Sequence, residues 1–228
     1  VKDIALVTMA LTPDRLKMGE ELTFPRMRVY AKKYGMDFII IKKCKRSPTL
    51  GDIFDWERAD WLYDLLFQYR RLIHMDDDVI VRQDAEDISD LPFGTFYGFD
   101  NAPFNPAEVR RCWHQAQSTW HEFRDFPPMQ HLYNNGMFVV DSSLQLLFAP
   151  TDAEPYNVNS DQTRESHYKG MGILNARLHA LGYSSSYRPD LFGVSYQHPK
   201  PSPSFLHVLW QDGSKQEAVK HFIEEMDK

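Results

Sequence analysis

Ile4-Ala5-Leu6-Val7-Thr8-Met9-Ala10 is an apolar run broken only by Thr8, the mark of a strand buried on both faces. It ends in Leu11-Thr12-Pro13-Asp14, which reads as a turn. Glu20 to Tyr34 predicts a helix despite Pro25, with Lys32, Lys33 and Gly35 as its stop. Met36-Asp37-Phe38-Ile39-Ile40-Ile41 is a second buried strand. A strand–helix–strand unit implies parallel pairing with a right-handed crossover. A turn-rich connection leads to a helix from Asp55, its N-cap, to Tyr69; Trp56, Ala59, Leu62, Tyr63, Leu66 and Phe67 recur at helical spacing. Leu72-Ile73-His74-Met75 is the third strand. It delivers Asp76-Asp77-Asp78, and a new apolar run, Val79-Ile80-Val81, follows at once.

The texture then changes. Phe96 to Phe99 is a short strand. Asn101 to His131 is long and proline-interrupted, with a helix over part of it, Ala107 to Phe123. Its rings, from Trp113 to Phe126, either pack a subdomain or form a binding surface, since long loops in compact domains tend to be functional. Tyr133-Asn134-Asn135-Gly136 reads as a turn and Met137-Phe138-Val139-Val140 as a strand. Ala149 to Asn159 is loop. A helix runs from Asp161-Gln162 to Gly182, with Gly170 and Gly172 as potential interruptions. Tyr187-Arg188-Pro189 and Leu191 to Val194 are strand fragments. Phe205 to Trp210 is the last strand, and Lys215 to Met226 the terminal helix.

This alternation predicts an α/β fold with a Rossmann-like sheet, mostly parallel and flanked by helices. At 228 residues one domain is the simplest division. The net charge of −6, with no basic block, argues against nucleic acid as the main partner. Cys44 and Cys112 make no disulfide framework and are expected as free thiols of a reducing compartment. No segment has the length of a membrane span, and the first residues lack signal-peptide anatomy, so a soluble, cytoplasmic protein is expected.

Three constellations carry chemistry. Three adjacent carboxylates repel, and each is costly to bury alone. If both flanking runs are buried strands, the acids stand at a cleft where the sheet breaks open, at the carboxyl end of a strand, where open α/β sheets bind ligands. Alternate residues share a face, so Asp76 and Asp78 can grip one hard cation, Mg²⁺ or Mn²⁺, while Asp77 points away and is expendable. The bland alternative is a solvated acidic turn. The second constellation is His207 with Gly213 and Lys215: a metal ligand, a close backbone approach and a phosphate-seeking charge. Taken alone, a histidine on a short apolar strand is more often a satisfied core residue. The third is Asn134-Asn135-Gly136 with Asp161-Gln162, polar groups at strand ends that can bond hydroxyls, or else a turn and a helix cap. Walker, dinucleotide-binding, nucleophile-elbow and zincin motifs are absent from the sequence.

The order Ile73-His74-Met75-Asp76-Asp77-Asp78-Val79-Ile80-Val81, then Asn134-Asn135-Gly136-Met137-Phe138-Val139-Val140, Asp161-Gln162, and His207 with Gly213 and Lys215 resembles the GT-A-fold glycosyltransferases with an Asp-x-Asp motif. It is most similar to the retaining groups around glycogenin, the bacterial lipooligosaccharide galactosyltransferases and the plant xylosyl- and galactomannan galactosyltransferases. The resemblance implies one GT-A domain, with residues 1–100 as its nucleotide-sugar half and 101–228 as its acceptor-side half. It implies a UDP-sugar donor, a glycan or glycoprotein acceptor and Mn²⁺, or Mg²⁺, held by Asp76, Asp78 and His207. Asp76 and Asp77 would also lie near the donor, and Gly213 and Lys215 would meet the diphosphate. Thr8 and Ala10 would line the base pocket, and Arg58 would face the donor. Asn134, Asp161 and Gln162 would act at the transferred sugar, and Trp113 to Phe126 would receive the acceptor. Two departures stand out. Gly213 lies six residues beyond His207 where the family has about three, and Met9-Ala10-Leu11-Thr12 replaces an acidic or Asn-bearing loop. The small size also resembles an excised domain of a larger glycan-building protein, such as large DNA viruses encode. A nucleotidyltransferase or phosphohydrolase, which also pairs acids with Mg²⁺, and a degenerate sugar- or nucleotide-binding module are the alternatives.

Overall fold

The computed structural model describes residues 2–45, 54–150, 163–195, 203–208 and 214–227. The apolar runs become the central strands of a six-stranded sheet. β1 (Lys2–Met9) lies between β2 (Asp37–Ile41) and β3 (Tyr69–Met75) and is parallel to both. β6 (Tyr133–Asp141) runs antiparallel to β3 on one side and to β5 (Thr95–Asp100) on the other. β7 (Ser184–Tyr187) closes the edge parallel to β5, giving the order β2-β1-β3-β6-β5-β7. A second sheet holds three short strands. There β9 (Phe205–His207) sits between β4 (Val79–Val81) and β8 (Phe192–Val194).

The helices cover both faces of the large sheet. On one face α2 (Phe24–Lys33) and the small sheet bury Phe24, Met27, Tyr30, Val79, Phe192 and Phe205 against Leu6, Ile73 and Val139. On the other, α3 (Phe54–Leu65) and α5 (Thr163–Ala180) bury Leu62, Leu65, Leu174 and Leu178 against Val7, Leu72, Phe138 and Val140. Each such side chain contributes roughly 1.5–3 kcal/mol when fully buried. α4 (Pro106–Thr119) packs on α5, and α6 (Lys215–Met226) covers Ile80 of β4 with Val219.

Four local expectations change. Thr12-Pro13 opens a helix rather than a turn: Thr12 caps α1 (Pro13–Met18) by accepting from the Arg15 amide, and Pro13 takes the first helical position, where no N–H is needed. A π-helical turn, Gly19–Thr23, joins α1 to α2. The Asn134-Asn135-Gly136 segment is strand, the start of β6. Gly172 does not interrupt α5; a Cβ there would lie 3.1 Å from the Cys112 carbonyl oxygen, so the glycine lets α4 and α5 approach. Finally, Trp113, Trp120 and Phe123 are buried in a core shared by α4, α5 and the segment after α4. Phe126 and the more distant Phe104 keep exposed rings, as do His114 and His121, so of the two readings the larger rings favour packing a subdomain.

Candidate metal centre

The acidic triplet lies where the chain leaves one sheet and enters the other. β3 ends at Met75 and β4 begins at Val79. The Val79 amide closes the turn on the Asp76 carbonyl at 3.0 Å. The Asp76 amide donates to the Gly136 carbonyl at 2.6 Å, and the Val208 amide donates to the Asp78 carbonyl at 3.2 Å. The triplet is thus tied to β6 on one side and to the end of β9 on the other. In the small sheet Val79 is registered opposite His207, which carries that ring to the acids.

Asp76, Asp78 and His207 each offer a ligand atom, and these atoms lie within 4.8 Å of one another. His207 Nε2 is 3.2 Å from Asp78 Oδ1 and 3.9 Å from Asp76 Oδ2. The other side of each ligand is already engaged. Asp76 Oδ1 accepts from Arg58 Nη2 at 2.8 Å and contacts His74 Nε2 at 3.0 Å. Asp78 Oδ2 pairs with Lys215 Nζ. His207 Nδ1 is 2.9 Å from Asn134 Oδ1, which also accepts from the Gly136 amide at 2.7 Å. That backbone bond fixes which end of the Asn134 amide is oxygen. His207 Nδ1 therefore donates, and in the neutral ring the Nε2 lone pair faces two carboxylates. Three electron-pair donors converging on one point suit a divalent cation.

Charge in the cluster divides unequally. Burial pushes the Asp76 carboxyl up, but the Arg58 guanidinium and the His74 bond outweigh it and hold the group well below the carboxylate range. Burial likewise opposes ionisation of Asp78, and the His207 ring, Lys215 and Arg15 overcome it. Asp77 goes the other way, pushed up to about 7 by burial and then by Asp78, against the pull of Arg15 and Lys215. His74, wholly enclosed, is pushed down by burial and stays neutral near pH 7.

Asp77 stands outside the ligating group, as expected, but it is not idle. It is buried, with Oδ1 3.1 Å from Arg15 Nη1 and 4.0 Å from Lys215 Nζ, while its carbonyl accepts from Thr23 Oγ1 at 2.6 Å. Expendable is the wrong word for a buried, ion-paired carboxylate. Thr8 lies near the carboxyl end of β1, buried, with Oγ1 lacking a hydrogen-bond partner among the described residues. Ala10 follows that strand, its amide bonded to Ile41. Arg58 reaches the triplet from α3. Lys215 reaches it from the first position of α6. Asp161, Gln162 and Gly213 lie outside the described residues. Sequence reasoning missed His74 and Arg15. His74 sits two residues before Asp76, the strand spacing that puts both on one side, and that signal was legible. Arg15 could not be found, because it fell between the turn ending at Asp14 and the helix expected from Glu20, with no element to aim it.

No family model matches the chain, and no curated protein matches it. Among solved structures, the crystal structure of a glycosyltransferase involved in the glycosylation of the major capsid of PBCV-1 superposes with a TM-score of 0.59 at 13% identity, covering 97% of this chain and 99% of that one. The two chains share one fold over nearly their whole lengths. At that identity the likeness concerns architecture, and the chemistry has to be argued from the side chains. Neither Cys44 nor Cys112 takes part in a disulfide. Among the described residues no helix is long and apolar enough to cross a membrane.

Proposed function

We propose that the chain is a metal-dependent glycosyltransferase that moves a sugar from a UDP-sugar to a hydroxyl of a glycan or glycoprotein. The observation that carries this is the convergence of Asp76, Asp78 and His207 at the strand ends of a glycosyltransferase fold. Asp76, Asp78 and His207 would hold Mn²⁺, leaving its remaining positions to the donor. A cation bound there supplies positive charge beside the diphosphate as the glycosidic bond breaks.

The chain's own groups have defined tasks in this scheme. Lys215 and Arg15 add fixed positive charge on the side of the triplet where the leaving diphosphate gathers electrons. Gly213 permits close approach of the backbone to the diphosphate. Thr8, with its unpartnered hydroxyl, and Ala10 border the base. Arg58 neutralises Asp76 beside the donor. Asp161 and Gln162 stabilise the oxocarbenium-like sugar, while Asn134, whose oxygen is engaged by His207 and Gly136, donates from its amide nitrogen to a hydroxyl of that sugar. The nucleotide-sugar half is residues 1–100 and the acceptor half 101–228. Retention of configuration follows the resemblance to retaining families.

The test is to incubate the protein with a panel of UDP-sugars, Mn²⁺ and diverse acceptors, and to follow UDP, UMP and phosphate. Mn²⁺-dependent release of UDP with a glycosylated acceptor is expected. UMP or phosphate as sole product would assign a nucleotidyltransferase or phosphohydrolase. Tight Mn²⁺-dependent UDP binding without turnover would assign a degenerate binding module.

A further inference from the structure

His74 is a buried histidine that sugar transfer does not require. It occupies β3 with no exposed surface, and its ring lies against Phe138 with centroids 4.9 Å apart. A packing histidine would do as well as a leucine there, and a leucine would bring no polar atoms into the core. The ring's hydrogen bond goes through Nε2 to Asp76 Oδ1 at 3.0 Å, while Nδ1 has no partner among the described residues. An ionised carboxylate only accepts, so Nε2 carries the proton and donates. Arg58 Nη2 donates to the same oxygen at 2.8 Å. Two donors from different elements, β3 and α3, thus share Oδ1, and Oδ2 is the oxygen turned towards His207.

We propose, on the premise that Asp76, Asp78 and His207 hold a divalent cation, that His74 is a positioning residue: its Nε2–H and Arg58 pin Asp76 Oδ1 so that Oδ2 alone is presented to the ion. Arg58 by itself leaves the carboxylate free to rotate about the bond from Cβ to Cγ. The second donor, on a ring that cannot move because Phe138 backs it, removes that freedom. The site is then ordered before the ion arrives, and affinity is gained because less motion is lost on binding. His207 is treated alike in this respect, since Asn134 holds the ring nitrogen that faces away from the acids.

The experiment titrates Mn²⁺ into chelator-treated full-length protein by calorimetry, with thermal melting in parallel, for the wild type and for His74→Leu, His74→Asn and His74→Gln. Gln places an amide N–H where Nε2 lies; Asn places it at Nδ1; Leu has none. Leu and Asn are expected to weaken Mn²⁺ binding about 10- to 100-fold, while Gln stays within roughly threefold of wild type. A purely structural histidine would make affinity follow the melting temperature instead of the position of the N–H. If His74→Leu does not fold, the Asn and Gln pair decides. Wild-type affinity in Leu or Asn, or a Gln variant as weak as those two, overturns the role of His74 while leaving the metal site standing. A wild-type protein that binds no Mn²⁺ overturns both together, and is told apart by that control alone.

Discussion

The ring of His207 lies directly over Gly136. A Cβ added to that glycine would collide with Cε1, Nδ1 and Nε2 of the imidazole. The same glycine donates its amide to Asn134 Oδ1, the atom to which His207 Nδ1 is bonded. One residue of β6 thus sets the place of a ring on β9 by its missing side chain and that ring's tautomer by its backbone amide.

Gly136→Ala is therefore expected to expel the ring. Overpacking of this kind costs about 1–3 kcal/mol, read by thermal melting. Mn²⁺ affinity should fall by about tenfold or more as the ligand leaves its position, read by calorimetric titration. Normal Mn²⁺ binding by this variant would show that His207 is not a ligand.

Asp77 and Asp78 should separate cleanly although they are adjacent. Asp78→Asn removes a ligating oxygen and a partner of Lys215, and Mn²⁺ binding should drop about 100-fold or more while circular dichroism is unchanged. Asp77→Asn keeps size and hydrogen-bonding capacity outside the ligating group. Its Mn²⁺ affinity should fall far less than that of Asp78→Asn, since it removes no ligating oxygen. Equal losses in the two variants would mean that the triplet binds as one acidic patch.

Lys215→Met should move two quantities in opposite directions. Lys215 pairs with Asp78 Oδ2 and competes for its charge, so the variant should bind Mn²⁺ more tightly in the absence of donor. Turnover should fall by about 10²–10³, the scale for loss of one positioned charge donor at a leaving group. Titration and UDP release measure the two. A loss of Mn²⁺ affinity would make Lys215 a support of the site rather than a partner of the diphosphate.

Gly172→Val tests the packing of α5 on α4. The Cys112 carbonyl stands 3.1 Å from the position of a Cβ on α5, and backbone on α4 cannot yield as a flexible side chain would. Destabilisation of about 1–3 kcal/mol is expected in denaturant melts. Gly172→Ala should come out near neutral, because the helix gains roughly 1 kcal/mol of propensity that offsets the crowding.

Much of this was legible along the chain. The apolar runs of β1, β3 and β6 and the terminal helix α6 stood out because strands buried on both faces are simple in pattern; β2 was read the same way, but it is an edge strand with only Ile41 buried. The break between β3 and β4 was marked by three carboxylates that no buried strand tolerates. What misled was local chemistry with two uses. Thr12-Pro13 suits a turn or a helix start, and only the packing of α1 and α2 decides between them. Asn135-Gly136 suits a turn when glycine takes positive φ, but among the described residues the positive-φ glycines are Gly35, Gly94 and Gly182. Gly136 is extended and is needed for space.

Read along the chain, the residues specify an α/β protein, an acidic triplet between two buried strands and the residue types of a candidate metal centre. That His207 meets Asp76 and Asp78, that Asn134 turns its ring, and that Arg58 and His74 share one oxygen of Asp76 emerge only in three dimensions. The difference is one of range. Strand and helix patterns come from neighbours along the chain, whereas a metal centre is fixed by pairing across sheets. The register of Val79 against His207, and the space over Gly136, exist only once both sheets have formed.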